Sequence, residues 1–141
     1  MTTKLTFPCV EQEHYLFGKI NRPVIRLALY SVRFGRWLEI GKVLADTGAD
    51  ISVVPLPMGQ ILIHDIENGV PMYVGGILSS SVAVNAFVHR ITARIGDYTF
   101  EMPVAISVSS VIPPILGRQE ALDRFSVSFI YGKEVIFEKS M

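Results

Sequence analysis

The stretch Lys42-Val43-Leu44-Ala45-Asp46-Thr47-Gly48-Ala49-Asp50-Ile51-Ser52-Val53-Val54-Pro55 decides how this chain is read. It sets an aspartate on a Thr-Gly turn between two apolar, β-branched runs, and Pro55 and Pro57 end the second run because proline cannot donate to a strand ladder. Upstream, residues 24–32 (Val-Ile-Arg-Leu-Ala-Leu-Tyr-Ser-Val) read as a strand. Phe34-Gly35-Arg36 supplies a turn, and residues 37–45 return toward Asp46. A hairpin is therefore expected to deliver the aspartate.

The same two-residue periodicity runs through most of the chain, and charged helical stripes are scarce. Residues 70–74 and 80–88 read as strands around the glycine pair Gly75-Gly76. Residues 90–95 and 98–106 pair across Gly96-Asp97, residue types that tolerate tight turn geometry. Pro113-Pro114 breaks the chain before Ile115-Leu116-Gly117-Arg118. Residues 119–124 suit one or two helical turns, and 125–137 form a closing hairpin turned at Gly132-Lys133. Residues 58–69 fit either a short helix or an irregular loop. No internal repeat, low-complexity tract or domain linker is visible.

At 141 residues the chain is long enough for one domain with a core that needs neither disulfide nor structural metal. Thirteen basic residues balance thirteen acidic ones, which removes the overall electrostatic case for a nucleic-acid partner. Cys9 is alone, and His14, His64 and His89 lie far apart without ligand spacing, so neither a disulfide scaffold nor a zinc site is expected. The first residues lack the apolar run of a secretory signal, and a reducing cytoplasm is the expected location. The uncharged run between Glu67 and Arg90 is interrupted by Asn68, Pro71, Gly75, Gly76, three serines and Asn85, so stable membrane insertion is not expected. Mean hydropathy is nonetheless +0.40, which fits burial of apolar surface against a second copy.

An isolated Asp-Thr-Gly-Ala is a moderate signal, but here Ile115-Leu116-Gly117-Arg118 follows far downstream and leads into Ala121-Leu122-Asp123-Arg124-Phe125. The whole arrangement, over residues 22–137, resembles the retropepsin-like, or retroviral-type, aspartic proteases, including their stand-alone bacterial and archaeal relatives. The resemblance implies an all-β fold, a small closed β barrel of the retropepsin type, with one short helix near the C-terminus. It also implies a division into an N-terminal extension, 1–21, and a protease domain, 22–141.

By the same resemblance Asp46 is the catalytic carboxylate, Thr47 braces paired loops across a dimer, and Gly48 lets substrate backbone approach. Ala49, Asp50 and Ile115 would contact substrate, and Asp50 would also form a structural ion pair with Arg118, a planar cation suited to bidentate contact. Gly75, Gly76 and Ile77 match the flap that closes over a bound peptide. Arg22-Pro23 resembles an Arg-Pro pair that reaches the partner subunit in some members, but its distance from Asp46 requires an insertion, and Arg22 is not placed in the site. Segment 111–116 is expected to line pockets for apolar side chains.

The chemistry needs two carboxylates facing one water, and the chain holds one copy of the motif, so the implied enzyme is a homodimer acting on polypeptides. No metal or cofactor is required. Two rival readings stay open: a catalytically silent retropepsin-like peptide-binding module, and a monomeric β-barrel small-molecule binder in which Asp46 is an ordinary turn residue.

Overall fold

Short, fully buried strands flank the site, and partial alternation of buried and exposed side chains builds the longer strands around them. The computed structural model describes residues 2–74 and 84–140. Gly75, Gly76 and Ile77, expected at the flap, lie outside the described residues.

The chain starts with β1 (Thr2–Pro8), followed by a small hairpin of β2 (Val10–His14) and β3 (Gly18–Arg22). The long hairpin expected to deliver Asp46 follows as β4 (Val24–Ser31) and β5 (Arg36–Ala45), with Tyr30 opposite Trp37 and Ser31 opposite Arg36. Past the aspartate come β6 (Ser52–Val54), α1 (Leu56–Leu62) and, after a 3-10 turn at Ile66–Asn68, β7 (Val70–Val74). Strands β8 (Val84–Ile95) and β9 (Tyr98–Ser107) pair across Gly96-Asp97, where Gly96 takes a φ of +59°. The chain closes with β10 (Ile115–Leu116), a 3-10 turn at Leu122–Arg124, β11 (Ser126–Ile130) and β12 (Glu134–Ser140).

The strands run β4-β5-β10-β6-β9-β8, and β8 pairs back onto β4 through Ala28 with Arg94 and Leu29 with Ala93, closing a six-stranded mixed barrel. Along β8 and β9 every second side chain points inward, so Ile91, Ala93 and Ile95 meet Met102, Phe100 and Tyr98. Barrel closure leaves no free edge there. The first half of β8 also carries β7, from Val70 with Val88 to Val74 with Val84.

The start of the stretch expected as an extension is built into the fold as β1, which pairs with β12 from Thr2 opposite Ser140 to Pro8 opposite Glu134. With β11 these make a three-stranded sheet. Its aromatic face covers one side of the barrel: Phe7 and Phe125 both meet Phe137 edge-on, at ring separations of 5.7 and 5.1 Å, and Leu5 packs on the same core.

One expectation is corrected. The only α-helix among the described residues is α1, in the region left open between helix and loop, while the C-terminal helical segment is a single 3-10 turn. Pro57 is well suited to the start of α1, where the missing N–H has no intrahelical partner, and buried Leu62 anchors its far end. Seven residues do not hold a helix in water, and packing supplies the rest: Gly59 lies so close to Ile106 that no Cβ would fit, and Ser31 Oγ donates to the Ile61 carbonyl.

Candidate active site

Strand β10 wedges between the two strands that flank Asp46. Ile115 pairs with Leu44 in parallel on one side and with Val53 in antiparallel on the other, while Leu116 pairs with Ala45. The ladder continues into the loop, where the Asp46 N–H donates to the Leu116 carbonyl at 3.0 Å. Asp46 is half-buried, Thr47 and Gly48 are exposed, and Ala49 is half-buried.

The Gly48 N–H donates to Asp46 Oδ1 at 2.9 Å, and the Ala49 N–H donates to the Asp46 carbonyl at 3.2 Å. This side-chain turn fixes the direction of the carboxylate. The loop is held from below by the second motif: the Arg118 N–H donates to the Ala49 carbonyl at 2.9 Å, and the Gln119 N–H to the Asp50 carbonyl at 2.8 Å. Ser52, fully buried, accepts the Gly117 N–H on its Oγ at 3.0 Å and turns its own hydroxyl toward Met102 Sδ at 3.8 Å. Gly117 is needed for close approach: a Cβ there would lie 2.5 Å from the Ile51 carbonyl carbon and oxygen.

Asp46, Gly48, Ala49 and Ile115 line one cavity of about 470 Å³. Pro113 and Pro114 add an apolar wall, as expected of segment 111–116. Thr47 and Asp50 are exposed on the loop and do not line this cavity. The expected Asp50–Arg118 ion pair is not formed. Arg118 Nε donates instead to Asp123 Oδ1 at 3.2 Å, because the backbone turns back on itself here and the Asp123 N–H bonds the Arg118 carbonyl. Both side chains are exposed, so this pair contributes at most about 1 kcal/mol. The adjacent Glu120 is anchored more firmly, accepting from both terminal nitrogens of Arg90 at 3.1 and 2.9 Å; these hydrogen bonds hold its carboxyl below the usual range.

Sequence reasoning missed Lys42, Leu44, Val24, Gln12 and Arg22, all of which line the cavity. A signal existed for two of them, since Lys42, Leu44 and Asp46 alternate along one strand face. Arg22 and Gln12 arrive on β2 and β3, whose register places both on one face of that hairpin.

A retropepsin-like aspartic protease from Rickettsia conorii superposes on this architecture with a TM-score of 0.63, covering 99% of this chain and 94% of its own at 15% sequence identity. The fold is retropepsin-like. The EIAV protease complexed with an inhibitor matches 74% of this chain and 86% of its own, at a TM-score of 0.46 and 22% identity. No protein-family model and no curated protein sequence matches the chain. At these identities the likeness is one of fold, and within the retropepsin-like barrel Asp46 occupies a braced loop that opens onto a cavity.

Proposed function

We propose that this chain is an aspartic endopeptidase that works as a homodimer, with Asp46 from each subunit forming the catalytic pair. The observation that carries the reading is the fixed carboxylate of Asp46, aimed by Gly48 on a loop braced through Ser52 and Gly117, at the mouth of a cavity large enough for a substrate side chain. One chain supplies one such carboxylate, and a two-fold axis beside the loop supplies the second.

Two carboxylates that close cannot both ionise at modest pH and share one proton. The ionised member takes a proton from water as the water oxygen attacks the peptide carbonyl. The protonated member donates to the carbonyl oxygen, giving a tetrahedral diol. Collapse of the diol breaks the C–N bond as the protonated carboxyl gives its proton to the leaving nitrogen, while one diol hydroxyl re-forms the carbonyl and returns its proton to the other carboxylate, so the pair again shares one proton. Thr47 would brace the loops across the axis, and Asp50 with Ala49 would hold substrate main chain. Residues 75–77 would cover the bound peptide and exclude water.

Wild type and Asp46→Asn, each verified as a dimer by sedimentation, are incubated with denatured protein from mildly acid to neutral pH, and cut sites are mapped by mass spectrometry. Wild type is expected to cut best on the acid side of neutrality, and Asp46→Asn to lose about a thousandfold or more in rate. Equal cleavage by both removes Asp46 from the chemistry. A wild-type dimer that binds unfolded peptide but cuts nothing belongs to the silent module class.

A further inference from the structure

The cavity beside Asp46 has an ordered division of chemistry. By register, Val24, Leu44 and Ile115 sit side by side on three neighbouring strands, β4, β5 and β10, and form an apolar floor. Lys42 lies two residues before Leu44 on the same strand, and Arg22 and Gln12 face the floor from the β2–β3 hairpin. Neither Lys42 nor Arg22 forms an ion pair among the described residues. Asp46 is the one acid in the lining among the described residues, so two cations and one carboxylate leave it at +1.

We propose that this cavity is a recognition pocket for a carboxylate-bearing side chain, glutamate or aspartate, of the bound peptide. The methylene groups lie on Val24, Leu44 and Ile115. The carboxylate reaches the Lys42 ammonium and the Arg22 guanidinium, which suits a planar two-oxygen acceptor, and Gln12 offers a further amide donor. A lysine side chain would meet two like charges. Lys42 is exposed, so solvent screening limits the selectivity to about tenfold over the neutral isostere glutamine. The inference deepens the peptidase reading and rests on it only for the nature of the bound chain.

The test uses matched peptides carrying Glu, Gln or Lys at each position flanking the cleaved bond. Cleavage is measured with wild type, Lys42→Gln and Lys42→Glu, and peptide binding with Asp46→Asn by fluorescence anisotropy. At one position wild type should favour Glu over Gln by about tenfold in kcat/KM, Lys42→Gln should lose most of that preference, and Lys42→Glu should turn it toward Lys. Equal rates for all three peptides overturn the proposal. So does a Lys42→Glu variant whose side-chain preference is unchanged while its dimer dissociates more readily, because the cations then serve the partner subunit. If no variant cleaves, binding decides: tighter binding of the Glu peptide by about tenfold, lost at high salt, upholds the pocket and removes the peptidase, and equal binding overturns the pocket as well.

Discussion

The Asp46 loop and the β2–β3 hairpin lie against the same cavity and are held in opposite ways. Around Asp46, backbone groups from residues 45–50 bond to Pro23, Leu116, Arg118 and Gln119, with Ser52 Oγ and a side-chain-free Gly117 filling the space beneath. Among the described residues the hairpin pairs only with itself. Its tip leaves Tyr15 96%, Leu16 66% and Phe17 70% exposed, steadied by stacking of both aromatic rings on His14 and by two N–H donors to His14 Nδ1. Isolated two-stranded hairpins are marginal in water, so this arm takes its order from local ring contacts and from its base at Arg22. Constraint is concentrated where a carboxylate must keep its direction, and it is sparse where a surface has only to stand beside the cavity.

The sharpest way to break that contrast is Gly117→Ala. Its methyl group would drive into the Ile51 backbone, and a loss of about 3 kcal/mol is expected in urea unfolding, with activity falling faster than stability as the loop shifts. A loss below about 1 kcal/mol would mean the loop yields as readily as the arm. Ser52→Ala removes the buried acceptor of the Gly117 N–H and leaves that donor orphaned, for an expected loss of about 2 kcal/mol. The smallest effect is expected at the arm, where Leu16→Ser should stay within about 0.5 kcal/mol of wild type. A larger loss at Leu16 would show that the tip is covered in solution and would erase the contrast from the other side.

Much of this was legible where local chemistry and long-range pairing agree. The β4–β5 hairpin, the Gly96-Asp97 turn and the Gly132-Lys133 turn each carry a glycine at positive φ between alternating strands. The β1–β12 pairing left no such trace, because a partner at the other end of the chain is chosen by shape and not by a neighbouring turn. The arm was missed because Val10-Glu11-Gln12-Glu13-His14 is mostly polar and presents no core face. Strand β8 is continuous across His89, where two separate strands were expected, since nothing at that position breaks the ladder. Within the site, Asp46 and its loop followed from the motif. Asp50–Arg118 did not form because Asp123, close in sequence to Arg118, claims the guanidinium at little cost in chain entropy.

The wedge of β10 between β5 and β6 has a consequence for the order in which competence arises. Ile115 and Leu116 come from the far side of the sequence, and without them the Asp46 N–H has no carbonyl to bond and the loop has no floor. Contacts of such long sequence separation form late in folding, after the local hairpins. A chain still emerging from the ribosome, with β4 and β5 already paired, therefore carries the Asp46 loop without its braces. The braced loop arrives with barrel closure, so a partly folded copy holds Asp46 on a loop that lacks its long-range supports.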